Sequence, residues 1–525
     1  MRRITGVVGA SSSHGVRART SRNAAAAAVQ AAVGGLAIFI TYRFLVTEIG
    51  TAGIGTWSLA VAACALSSLP GMGVQVAIQH FVASRVAAGD PKGAATVVFT
   101  SAIVVAVLVA IGVGVTVILA PLVLPRIVGA TEAAPALSLM PWAVISVWLL
   151  SVCGAFQAAL DGMQKATLRS GLYLAATAFY MVAAIVLTRL LGLPGLGWAN
   201  VLEYALLLAG LASGTRVAFA RSGVRTAAFR LATIRLMLRY SAGAQAMAVA
   251  AVLFDPIAKA LLGRYSGLSQ IGIFDLASRL VVQLRSVVVA ASGVLISVFT
   301  EPGTPDERAA ARRRYLEVLG LVSSASIALI LGLEGMSPAI AIVWLGAPSR
   351  FFVEAVAVLG LGWGVNMLMT PAFMVQMGQG TLRWNVLGQF ASVLTLAVFG
   401  ISWALLVGAS GVLWAYALAL SVAGVFSLQF MHRAMHIGLS EWIGTVDRRL
   451  IAWALGACAG GWTAYGIALA AAPAVAAYSM IAACAVPLTI GLARSRSRRT
   501  LTAALSSVGS VAMKSSRKES VGVDS

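Results

Sequence analysis

Fourteen runs of roughly 20 apolar residues follow one another along this chain, separated by short polar breaks. No other feature limits its fold so strongly. A helix needs ~20 such residues to cross the hydrocarbon of a bilayer, where a chain can satisfy its backbone only as a helix or a closed barrel. The runs lie at 24–46, 51–84, 94–124, 134–160, 166–191, 195–220, 240–263, 268–299, 315–346, 351–376, 382–407, 410–433, 450–471 and 474–493. They predict an all-α polytopic membrane protein of about 14 spans. The second run is long, and "PGMG" at 70–73 predicts a break within it. The apolar stretch from 24 ends at Arg43 with no cleavage pattern, so it reads as a retained first span rather than a signal peptide.

Charge tests this map. Of 525 residues only 10% are charged, yet the formal net charge is +21. In a soluble protein that excess would suggest nucleic acid. Here the positive residues sort by side: of 38 Lys and Arg, 30 fall on one side of the predicted membrane and 5 on the other. Cytoplasmic loops collect Lys and Arg, so both termini are expected in the cytoplasm of a cell-membrane protein, with no nucleic-acid partner. Outer loops are too short for a soluble enzyme domain. The four cysteines form no C-x-x-C, and no P-loop occurs. The sequence therefore offers no metal site, no cofactor site and no site of ATP hydrolysis, and we read the chain as a non-enzyme.

A repeat organises the spans. "GTAGIGTWSLA" (50–60) and "GLSQIGIFDLA" (267–277) share the frame G-x-x-x-I-G-x-x-x-L-A at an offset of 217. "GLPGLGWA" (192–199) and "GASGVLWA" (408–415) match at 216, and "TLR" at 167–169 recurs at 381–383. Six spans separate each pair, which predicts a parallel repeat about an axis along the membrane normal. The expected layout is a disordered basic tail (1–23), a first lobe (24–220), a linker (221–239), a second lobe (240–436), an appended hairpin (437–493) and a basic tail (494–525). The Arg-rich stretch 216–239 reads as an amphipathic connector on anionic headgroups, with a docking site for a partner as the alternative.

On these residues the chain resembles the polysaccharide (O-antigen type) flippases of the multidrug/oligosaccharidyl-lipid/polysaccharide exporter superfamily. The stretches that carry the resemblance are "FDPIAKALLGRYSGLSQIGIFDLASRL" (254–280), "GMGVQVAIQHFVASRVAAGD" (71–90) and "LDGMQKATLRSG" (160–171), within a similarity over roughly residues 24 to 493. It implies two six-helix lobes around a V-shaped cavity. It also implies a lipid-diphosphate-linked oligosaccharide moved from the cytoplasmic to the outer leaflet, with membrane lipids and a polysaccharide polymerase or glycosyltransferases as partners. Fourteen spans also occur in the related lipid II flippases, so that branch stays open.

Charges inside spans mark the candidate site, because such residues usually face a bundle interior or cavity. Asp255 and Lys259 are four apart on one predicted helix, Asp275 and Arg279 on the next. Each pair can self-neutralise. Arg285 lies six residues beyond Arg279 with no acid near it, and Arg43 sits on the first span. Arg285, Arg279, Lys259 and Arg43 are the expected cationic lining for a diphosphate, since Arg offers phosphate a bidentate fork and Lys a point charge. Structural pairing between helices is the competing account. Asp255, Asp275 and Glu203 are the candidates for ion coupling, whereas Glu334 reads as interfacial. His432 and His436 lack a further ligand at metal spacing. Trp57, Trp142, Trp198, Trp344 and Trp442 read as interface anchors, and "GACAGGW" (456–462) as a close-packing stretch. A cation-coupled multidrug exporter of the same fold and a non-transporting assembly scaffold remain alternatives to the flippase.

Overall fold

Runs of Ala, Val, Leu and Ile without interior breakers become helices because lipid leaves their backbone no other partner. The computed structural model describes residues 5–224, 226–292, 305–379 and 383–468. Their elements are all helical, and ten of the described helices are long and apolar enough to cross a membrane. The helix Leu268–Ser292 is not one of the ten because it carries Asp275, Arg279 and Arg285, yet Ile271, Phe274, Leu276 and Val281 on it are fully buried. The expected last span (474–493) and the C-terminal tail (494–525) lie outside the described residues.

Boundaries follow local chemistry. The first helical run, Thr5–Cys64, starts inside the segment whose composition predicts disorder, and it is interrupted at Gly50 (φ 70°, ψ 174°). The break in the second span falls slightly before "PGMG": a 3₁₀ turn, Ala65–Ser68, precedes the helix Leu69–Ala87. Ser67 and Ser68 donate to the carbonyls of Cys64 and Ala65. Pro70 then occupies the first turn of the new helix, where its missing N–H costs nothing. The expected linker is shorter than 221–239. One helix, Leu193–Ala220, ends where the expected linker begins, and the next, Leu231–Ser266, begins well before its expected end. Between them Val224 and Ala227 pack on a buried cluster, and the Arg230 N–H donates to Thr100 Oγ1.

The repeat is visible in the turns. Gly50, Gly129 and Gly192 each end an odd-numbered expected span at positive φ, and so do Gly267, Gly346 and Gly408. Partners are 217, 217 and 216 residues apart. Their conformations repeat as well: Gly192 has φ 66°, ψ −141°, and Gly408 has φ 65°, ψ −136°. These dihedrals are accessible only to glycine without strain. A second glycine in that hairpin repeats too. A methyl at Gly195 would overlap the Leu187 carbonyl oxygen, and one at Gly411 the Trp403 carbonyl oxygen. All six turns belong to one end of the bundle, here the turn end. The stretch 221–230 belongs to the other, the connector end.

The largest buried cluster lies toward the turn end and unites both halves of the chain. Tyr42, Leu45, Ile54 and Trp57 join Ala258, Phe274, Trp344 and Tyr416 in it. This places two expected interface anchors in the interior. Trp57 is 5% exposed and Trp344 0%, because their span ends meet the other half rather than headgroups. Trp198 does face outward, at 44% exposure. Glu334 is also not interfacial. It stands eleven residues before Leu345, roughly 16 Å along the helix at ~1.5 Å per residue. Its Oε2 is buried without a partner among the described residues, and Cys458 of the helix Arg448–Ala468 is within electrostatic reach. Within "GACAGGW", Gly456 has no atom within 4 Å among the described residues, whereas Gly461 is buried.

Candidate functional site

The two copies of the repeated frame meet face to face. A methyl at Gly55 would overlap the Leu268 carbonyl oxygen, and a methyl at Gly272 would overlap that of Thr51. Gly55 and Gly272 are equivalents, as are Thr51 and Leu268, so the contact is reciprocal about the pseudo-twofold axis. Small residues let two backbones approach this closely in lipid, where packing and hydrogen bonds hold helices together. Thr51 Oγ1 and Ser269 Oγ add a hydrogen bond of 2.7 Å beside it.

One turn deeper, Ser58 donates to Asp275 Oδ1 at 2.8 Å. Asp275 organises the intramembrane charges. Its Oδ1 also accepts from Lys259 Nζ at 3.1 Å, and its Oδ2 accepts from Arg279 Nε at 2.7 Å. Lys259 pairs in turn with Asp255 at 2.6 Å. The i,i+4 pairs thus join, through Lys259 and Asp275, into one chain of two acids and two bases with no net charge. Its middle is buried, with Lys259 5% and Asp275 7% exposed. Its ends open onto space, the side chains of Asp255 and Arg279 being 48% and 36% exposed. The Arg279 guanidinium lies 4.5 Å from the centre of the Tyr42 ring, a cation–π contact with the other half of the chain.

The other expected cations lie apart from this chain. Arg43 donates from Nη1 to the Trp344 carbonyl at 3.1 Å, and Trp344 Nε1 donates back to the Phe39 carbonyl at 3.0 Å. Arg43 therefore helps to join the first span to the helix Pro305–Leu345. Arg285 sits over the Trp363 ring at 4.9 Å, with Tyr416 within electrostatic reach. Among the described residues, Arg285 Nε and Trp363 Nε1 are both buried donors without an acceptor. An unpaired buried donor is costly, so each is a place where an anionic oxygen would be welcome. Glu203 forms no ion pair among the described residues. Tyr180, Tyr204 and, across the halves, Arg279 are within its electrostatic reach.

Two contributors escape sequence reasoning. Trp363 lies within an apolar run and looks like core. Gln245 holds the halves together toward the connector end: its Nε2 donates to the Leu69 carbonyl at 2.6 Å, and its Oε1 accepts from the Gly73 N–H at 3.0 Å. The signal available for Gln245 was the broken helix at 65–73, whose loose backbone groups need a partner. His432 contacts the rings of Tyr315 and Trp442, and among the described residues no metal-ligating cluster occurs.

Comparison with known proteins fits this architecture. The fold resembles a multidrug resistance MATE family transporter of the MOP superfamily in an inward-facing conformation (TM-score 0.61, 15% identity, covering 78% of this chain and 98% of that one). It also resembles the lipid II flippase MurJ in an inward closed conformation (TM-score 0.64, 12% identity, 90% and 98%). A third likeness is to a MOP superfamily transporter from Pyrococcus furiosus, described as having a binding pocket of reverse polarity (TM-score 0.54, 14% identity, 80% and 96%). No curated protein sequence matches the chain. Residues 21–301, more than half of the sequence, match the family model for polysaccharide biosynthesis proteins. The chain belongs to that polysaccharide biosynthesis family, on the helical fold of the MOP superfamily.

Proposed function

We propose that the protein flips a lipid-diphosphate-linked oligosaccharide from the cytoplasmic to the outer leaflet of the cell membrane by alternating access, for cell-surface polysaccharide assembly. The observation that carries this reading is the Arg285–Trp363 pair, with two buried donors that have no acceptor among the described residues. Phosphate oxygens or the carboxylate of an acidic sugar supply what those donors lack. The skewed Lys and Arg distribution supports cytoplasmic termini. The turn end is then the outer face, and the Gly55–Gly272 crossing, the Ser58–Asp275 bond and the Arg43–Trp344 contact seal it. Residues 24–220 and 240–436 act as the two lobes. Polymerase or glycosyltransferases upstream and downstream are the expected partners, and the chain itself performs no covalent step.

Deleting the gene tests the proposal. Lipid-linked repeat units should accumulate on the cytoplasmic leaflet, and restoring the wild-type chain should clear them. Glu203 favours a second reading, cation-coupled drug export, because an intramembrane acid without an ion pair among the described residues suits a coupling ion. Unchanged lipid-linked sugars together with altered drug sensitivity would select it over the first.

A further inference from the structure

Asp275 touches both halves of the chain and both bases of the charge cluster. Its oxygens occupy the positions an anionic ligand would take on Lys259 and Arg279. Among the described residues only Nε of Arg279 is hydrogen-bonded, which leaves its two terminal nitrogens for a second acceptor, and its side chain borders open space. Lys259 keeps Asp255 on its other side and would not be orphaned if Asp275 left it.

From this we infer that the diphosphate of the cargo displaces Asp275 from Lys259 and Arg279, and that this displacement removes the acceptor of Ser58 and unlocks the seal at the turn end. The inference rests on the proposed flippase reading and adds the link between loading and opening. A diphosphate carries more charge than one carboxylate and offers the guanidinium a matched fork. Once Asp275 swings away, the seal keeps the Gly55–Gly272 crossing, the Thr51–Ser269 bond and the Arg43–Trp344 contact but loses its hydrogen bond to a carboxylate. Hydrogen bonds to ionised acceptors are the stronger ones, so losing the Ser58 bond should shift the closed-to-open ratio on the order of tenfold. Linkage makes the effect reciprocal: protein locked shut must bind the diphosphate more weakly by the same factor.

The test places cysteines at Thr51 and Ser269, whose hydroxyl oxygens are 2.7 Å apart, in a chain whose native cysteines are replaced by serine. Oxidative cross-linking of this pair in nanodiscs reads seal closure from either side of the membrane. Inorganic pyrophosphate, its binding followed separately by calorimetry, should slow cross-linking about tenfold. Ser58→Ala should slow it to a similar degree without pyrophosphate and leave little further response. This variant keeps the ion cluster intact, so it does not depend on the folding of an Asp275 mutant. Three results would each overturn the inference: pyrophosphate bound without slowing, equal slowing in parent and Ser58→Ala, or no binding at all. The gene-deletion assay judges the flippase reading independently of all three.

Discussion

Ser58 and Asp275 hydrogen-bond at 2.8 Å although they are the same position in two copies of one repeat, 217 residues apart. Equivalent residues can touch in this way only where they sit at the pseudo-twofold axis. Ser58→Asp would therefore put two carboxylates on that axis. We expect it to open the turn end, read as a several-fold rise in labelling of a cysteine at Thr51 by a membrane-impermeant maleimide. Labelling at the parental rate would mean that this pair does not hold the seal.

The reciprocal glycine crossing predicts matched penalties. Gly55→Ala and Gly272→Ala each force a methyl into a backbone carbonyl of the opposite half. Each should cost about 1–3 kcal/mol of stability, as overpacking does. Gly456→Ala, which meets open space, is the silent control. Thermal unfolding followed by size-exclusion chromatography compares the three, and equal melting points would contradict the crossing.

For Arg285 the expected phenotype is loss of transport without loss of fold. Arg285→Ala should lower export of lipid-linked sugar at least tenfold while membrane insertion stays normal, since a charged hydrogen bond to cargo contributes about 1.5–3 kcal/mol. Trp363→Phe keeps the ring under the guanidinium but removes the indole N–H, and should show a smaller loss. Full export by Arg285→Ala would remove this pair from the cargo site.

Gln245 bridges the halves at the connector end with two bonds to backbone groups at the helix break. Gln245→Ala should loosen that end alone. Protease or maleimide access from the cytoplasmic side should rise, while cross-linking of the Thr51–Ser269 cysteine pair stays unchanged. A change at both ends would point to general destabilisation instead.

Glu334 buries an oxygen that has no partner among the described residues, within electrostatic reach of the helix Arg448–Ala468. Removing such a group and filling its space is often stabilising. Glu334→Leu should raise the melting temperature by a few degrees, and a fall would show that the acid has a partner in the working protein.

The helical architecture and the repeat were legible because both rest on local demands. An apolar run of membrane length has no alternative to helix, and a turn at positive φ needs glycine. The placement of Trp57 and Trp344 was not legible, because nearness to a span end does not say whether headgroups or another helix lie there. The Asp255–Lys259 and Asp275–Arg279 pairs follow from helical spacing. Their union through Lys259 and Asp275 does not, since it depends on how two helices lie together. Arg285 stood out as a lone cation, but Trp363 beneath it is more than 70 positions away and carries no pattern of its own.

The on-axis position also constrains ancestry. In a half-length chain that paired as a homodimer through this crossing, residue 58 and its copy would be the same amino acid. An aspartate there would face itself in every molecule, whereas serine would be tolerated. A lone acid with two attendant bases fits only once both halves are encoded in one chain and can diverge. The charge that distinguishes Asp275 from Ser58 thus depends on both halves being encoded in one chain, where the two positions can differ.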